Sequence, residues 1–169
     1  MDNIVTDLKI ISEKSSLNQD DFEAFKLKVK KIPVGQFDEM AHPIVKDITS
    51  KIDCKKCGNC CRFQEPGVTN EEIDILAQQK NVSIETFKEK YIARDKEGVS
   101  FLCVKPCTFL SLPSQGGKEC SIYSLRPNSC ADFPGLHRPG LKWRMKQVEE
   151  NYSICPIVFN VVEKLKEIL

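Results

Sequence analysis

The segment "DCKKCGNCCRFQEPG" constrains this chain more than any other, because it places Cys54, Cys57, Cys60 and Cys61 within eight residues. Thiols this close together form a disulfide knot, a zinc site, an iron–sulfur cluster or a redox dithiol. Five more follow at Cys103, Cys107, Cys120, Cys130 and Cys155, making nine. An odd number leaves one thiol over in any disulfide framework. The opening residues, "MDNIVTDLKIISEK", have no basic start, apolar h-region or cleavage site, so they do not read as a signal peptide. A cytoplasmic location is therefore expected. In that reducing compartment clustered thiols are metal ligands rather than structural disulfides.

A C-x2-C pair is a good half-site, because a tight turn lets both sulfurs reach one tetrahedral ion. Two such pairs overlap here, 54/57 and 57/60. Cys60 and Cys61 are adjacent, and in an extended segment neighbouring side chains point to opposite sides. That places Cys61 on a second metal or on a bridge between two. The thiol count agrees, since a closed zinc site takes four protein ligands.

The flanks read as helices. Residues 1–50 carry no cysteine. "NQDDFEAFKLKVKKI" places Phe22, Phe25, Leu27, Val29 and Ile32 at helical spacings, with acids early and lysines late to suit the helix dipole. "PVGQ" breaks it, and "FDEMAHPIVKDITSKI" is a second helix in which Pro43 imposes a late start or a kink. Thr69 with Glu72 three residues on is a capping-box pattern before Ile73, Leu76 and Ala77. Ser83 is the expected N-cap of "IETFKEKYI". "GVSFLCVKPCTFLSLPSQGGKECSIY" reads as short β segments around Pro and Gly turns. Residues 120–141 hold too many breakers for long elements. "CPIVFNVVEKLKEIL" is a last amphipathic helix, with Pro156 in its first turn and Val158, Val161, Val162, Leu165 and Leu169 as its apolar stripe.

The expected fold is thus a small, mainly α, metal-stapled domain over 1–169. It has a helical segment at 1–50, an irregular, loop-rich cysteine-bearing centre at 53–156 with room for a short β-hairpin, and a C-terminal helix at 156–169. Ordering such a centre costs about 1–2 kcal/mol per residue in backbone entropy. Structural zinc can offset this, contributing on the order of 10 kcal/mol or more in small domains.

Beyond the C-x2-C-x2-C-C run come "PCTFL", "CSIYSLRPNSCADFP" and a late "CP", in that order. This set resembles the YkgJ-type cysteine-cluster family, described as a zinc- or iron-chelating domain. The resemblance covers about residues 53–156. It implies metal ligation by Cys54, Cys57, Cys60, Cys61, Cys107, Cys120, Cys130 and Cys155, with Cys103 as an extra thiol. Two departures stand out. Ala131 occupies a place where the family commonly has a basic residue, and the insert "LPSQGGKE" between Cys107 and Cys120 is long. The family also resembles the flagellin lysine-N-methylases in its cysteines, which implies protein modification as an alternative activity.

Metal identity stays open between zinc and iron. C-x2-C-x2-C with a remote Cys-Pro is a ferredoxin-like spacing, which Cys54, Cys57, Cys60 and Cys155 fit. Zinc suits the same half-sites, and both metals favour thiolate. The expected partition puts Cys54, Cys57, Cys60 and Cys155 on one ion and Cys61, Cys107, Cys120 and Cys130 on another. The leading function is a metal that is structural or organises a surface for a protein partner. The alternative is an iron–sulfur enzyme or electron-transfer protein. Lys55, Lys56, Arg62, Arg126 and Arg138 lie near the thiols in sequence and can offset their charge.

Other residues have quieter readings. His137 is a candidate ligand or a surface residue, and His42 a surface residue at a helix start. Tyr123, Arg126 and Pro127 pack beneath the site, with the arginine bonding thiolates or carbonyls. Asp132 suits a turn or cap, and Trp143 the core. Twenty-five Lys and Arg against 24 Asp and Glu give a formal charge of +1, which recruits neither nucleic acid nor an anionic membrane. No apolar run is long enough to span a bilayer. A Ser-His-Asp set, a P-loop and GxGxxG are all absent from the sequence.

Overall fold

A computed structural model describes residues 4–111 and 119–169. Most of the "LPSQGGKE" insert, residues 112–118, lies outside the described residues. In chain order the helices are α1 (Leu8–Leu17), α2 (Gln19–Lys31), α3 (Val34–Lys51), α4 (Cys54–Cys57), α5 (Cys60–Phe63), α6 (Asn70–Gln79), α7 (Ile84–Tyr91), α8 (Asn128–Asp132), α9 (Met145–Tyr152) and α10 (Pro156–Ile168). The strands β1 (Ile92–Arg94) and β2 (Ser100–Leu102) form an antiparallel hairpin, with Ala93 opposite Phe101. The protein is mainly α with a small hairpin. It divides into two compact units, one of Met1–Asp53 with Pro134–Leu169, the other of Cys54–Phe133.

The first unit is helical. Asp7 caps α1 by accepting from the Lys9 and Ile10 amides. Asp20 and Asp21 begin α2 and Lys28, Lys30 and Lys31 end it, in the sense the helix dipole favours. Phe22, Phe25 and Val29 are its buried face. Leu27, expected on that face, is 61% exposed, because it lies about 200° round the helix from Phe25. α3 buries Phe37, Ala41, Val45 and Ile48, a 3.6-residue stripe that packs on α10. Pro43 lies inside α3, which begins nine residues earlier, so the late start is not what forms. His42 is likewise mid-helix and half-buried, with Nε2 4.0 Å from Asp38 Oδ1, rather than a surface residue at a helix start.

α10 begins with Pro156 at its first position and is buried on all sides from Pro156 to Val162. Its interior Asn160 is satisfied by side-chain bonds that mimic a strand pairing. Val5 N–H donates to Asn160 Oδ1 at 2.9 Å, and Asn160 Nδ2 donates to Val5 O at 2.8 Å. Asp38 does similar work at the other end of this unit, accepting from the amides of Gly140 (2.6 Å) and Leu141 (3.0 Å). Gly140 has φ 74°, a conformation open to glycine at little cost. In the 3-10 turn Leu141–Arg144, Leu141 fills the core. Trp143, expected in the core, is instead 74% exposed, its ring 5.3 Å from Lys142 Nζ.

The second unit has its own core of Val68, Ile73, Leu76, Ala77, Phe87, Leu102, Phe109 and Ile122. Thr69 and Glu72 form the capping box of α6, and Ser83 caps α7 through the Thr86 amide. Residues 66–68 add to the hairpin, with Val68 N–H on Ser100 O and Leu102 N–H on Pro66 O. A further antiparallel bridge joins Leu110 to Cys120. Cys107 and Cys120 pack against the core, so the thiol-bearing loops rest on an apolar base.

Candidate metal centre

The first cysteine run folds as two single helical turns, α4 and α5, joined by Gly58 and Asn59. Gly58 has φ 56°, which lets the chain reverse, and its amide caps α4 through Cys54 O at 3.2 Å. This differs from the extended segment expected around Cys60 and Cys61. Both lie in α5, where adjacent side chains are about 100° apart rather than opposed. The two thiols share a hydrogen bond. A 3.6-residue turn, closed by Gln64 N–H on Cys60 O at 2.9 Å, prevails over the extended geometry.

The later thiols reach Cys61 through backbone pairing. Cys107 N–H donates to Cys61 O at 2.7 Å. Ser121 N–H to Phe109 O and Ser111 N–H to Glu119 O zip Cys120 alongside the Cys107 segment. Cys130 lies on α8, which is fixed at its start by two side-chain bonds. Asn128 N–H donates to Glu72 Oε1 at 2.7 Å, and Ser129 Oγ donates to Gly67 O at 2.7 Å. Glu72 therefore closes its own capping box with one oxygen and holds α8 with the other.

Cys61, Cys107, Cys120 and Cys130 form one electrostatic group. The Cys61 thiol is pushed far up from the ordinary thiol range, first by its hydrogen bond with Cys60 and then by burial. Burial raises Cys107 and Cys120, and charge on Cys61 adds to both. Burial pushes Cys130 up to about 12, with charge on Cys107, Cys61 and Cys120 adding. Several donors oppose this. The Phe109 amide bonds the Cys107 sulfur, the Ile122 amide the Cys120 sulfur, and Ser129 the Cys130 sulfur. Lys80 acts on Cys107, and Arg126 acts on Cys61 and Cys120. Nothing local in the sequence marks Lys80. Its Nζ donates to Thr108 O at 2.7 Å and stands 5.0 Å from the Phe109 ring, a pairing set by tertiary contact alone.

The remaining predicted ligands are placed differently. Cys54 is exposed, and Cys57 and Cys60 are half-buried on their two turns. Cys155 belongs to the helical unit, buried just before α10, with its amide on Asn151 O. Cys103 is half-buried at the end of the hairpin, its amide on Tyr91 O. His137 is exposed in the helical unit, as is Arg138. Ala131 and Asp132 lie on α8 next to Cys130. All nine cysteines are thiols. Among the described residues no three Cys, His, Asp or Glu side chains converge into a ready-made ligand cage.

A family model described as "CxxCxxCC: Putative zinc- or iron-chelating domain" matches residues 53–156, well over half of the chain. The chain belongs to this family. The match begins one residue before α4 and ends at the first residue of α10, so it takes in every thiol. No solved structure matches the chain. No helix among the described residues is long and apolar enough to cross a membrane.

The thiols of this CxxCxxCC domain are chemically suited to the zinc or iron that the family's description names. Zinc and iron both take thiolate. Mutual repulsion and burial keep neighbouring thiols protonated, and a bound cation reverses that balance. The amides aimed at Cys107 and Cys120 stabilise the thiolate form of each.

Proposed function

We propose that Cys61, Cys107, Cys120 and Cys130 hold one zinc or iron ion whose role is structural. The observation that supports this most is that these four thiols, from α5, two loop segments and α8, share one electrostatic neighbourhood and receive backbone or hydroxyl donors. The segments that carry them are short and irregular, and they gain from a shared ligand what they lack in packed side chains. Once fixed, they present exposed Phe63 and Leu125 in the same unit as a surface for a protein partner.

The test is elemental analysis of the full chain purified anaerobically, with an absorption spectrum and amide exchange before and after a strong chelator. A colourless protein with stoichiometric zinc, or one with mononuclear iron, supports the reading if chelation removes exchange protection around 107–130. A brown, cluster-type spectrum favours the iron–sulfur alternative. Reduced, freshly purified protein without metal but with the same protection refutes the proposal.

A further inference from the structure

Arg126 carries the one buried cationic group whose hydrogen bonds are left open among the described residues: its Nε and Nη1 are buried and have no hydrogen-bond partner. The guanidinium lies over the Tyr123 ring, with Cζ 3.7 Å from the centroid. That stack covers a face of the group and leaves its in-plane N–H bonds unanswered. A buried cation with unmade bonds is costly, so a fold that keeps one supplies an acceptor in its working state. Lys80, the other cation acting on these thiols, has already found its acceptor in Thr108 O.

The position of Arg126 indicates which acceptor is missing. It follows the 3-10 turn Tyr123–Leu125 and precedes Pro127, the residue at the N-cap of α8, so it sits on the link between Cys120 and Cys130. Its charge acts on Cys61 and Cys120. A neutral thiol is a weak acceptor, whereas a metal-bound thiolate is anionic and accepts well.

We infer that Arg126 is a positioning residue of the metal centre, whose Nε–H and Nη1–H donate to the metal-bound sulfurs of Cys61 and Cys120. This rests on the metal-centre reading above. Packing against the Tyr123 ring restricts the guanidinium, and its planar fork of donors is one that a lysine cannot reproduce.

The test uses the full chain as wild type, Arg126→Gln, Arg126→Lys and Tyr123→Leu, titrated with zinc against a competing chelator and with cobalt as a spectroscopic stand-in. Urea unfolding of each loaded protein is followed in parallel. Arg126→Gln is expected to weaken zinc binding by about 10–100-fold and to shift the thiolate-to-cobalt charge-transfer bands. Arg126→Lys restores charge and recovers only part of the affinity, with the bands still shifted. Tyr123→Leu keeps the guanidinium and shows a smaller loss, which separates the arginine's bonds from general loosening. Unchanged affinity and bands in both arginine variants would overturn the inference, whatever their urea stability. If wild type takes up metal but loses none on Cys61→Ser, the four-thiol reading fails on its own account, and Arg126 has no thiolate to hold there.

Discussion

The amide of Cys107 donates to the carbonyl of Cys61 at 2.7 Å, joining two residues 46 positions apart in the chain. This bond brings the end of the C-x2-C-x2-C-C run onto the loop that carries the next thiol. With the Leu110–Cys120 bridge and the Asn128–Glu72 bond, it makes a set of backbone contacts that gathers four thiols from three sequence blocks.

Glu72 serves two elements at once, so its loss is felt in both. Glu72→Ala removes the acceptor for the Thr69 amide and for the Asn128 amide. It is expected to cost about 1–2 kcal/mol, at the upper end for a helix cap. Glu72→Gln, which keeps an oxygen at the end of the side chain, retains more than half of that. Urea unfolding checks both values. Amide exchange at Asn128 rises in the alanine variant if the two roles are linked, and stays unchanged if only the cap is lost.

Gly58 is the joint between the two cysteine turns. Its φ of 56° is a left-handed conformation that costs a residue with a Cβ about 1–2 kcal/mol. Gly58→Ala should destabilise the protein by about that amount and weaken metal uptake, since the turns carrying Cys57 and Cys60 no longer meet in register. Gly58→Asn, the best non-glycine in this region, should fall between alanine and wild type. Equal stability for all three would contradict the role given to the joint.

The pH dependence of stability has a defined acidic limb. The Glu71 carboxyl is held below its ordinary range by its own amide first and by the Thr69 hydroxyl second. Glu85 is lowered likewise by its own amide and by Ser83. Both stand at helix starts, where the dipole favours a negative charge. A carboxyl depressed in the folded state adds stability above its unfolded pKa, near 4.3, and loses it as the pH falls through the folded value. Glu71→Gln and Glu85→Gln should each flatten the acid side of the stability–pH curve and leave the curve above pH about 6 parallel to wild type. An unaltered acid limb in the double variant would contradict this account.

Much of the architecture was legible because its signals are local. The Thr69–Glu72 capping box, Ser83 at the start of α7 and Pro156 at the start of α10 depend on residues within one turn of each other. The chelating-domain family was readable from spaced motifs. The misses involve tertiary choice or a wrong local assumption. Leu27 and Trp143 are apolar enough for a core, but helix phase and the burial of Leu141 beside Trp143 leave them outside. Adjacency alone suggests an extended Cys60–Cys61 pair, but a nearby glycine and asparagine allow two separate helical turns. Lys80 and Glu72 reach their loop partners across 28 and 56 residues, a span that no periodicity encodes.

Cys61, Cys107, Cys120 and Cys130 are the proposed ligands of one metal centre. The most direct test is metal content per chain in eight single Cys→Ser variants, at these four positions and at Cys54, Cys57, Cys60 and Cys103, each purified anaerobically beside wild type. The account predicts that each of the first four variants loses the same ion, with parallel loss of exchange protection around 107–130, and that Cys103→Ser keeps full content. If Cys107→Ser, Cys120→Ser and Cys130→Ser all keep the wild-type metal content while Cys54→Ser loses it, the four-thiol centre is contradicted.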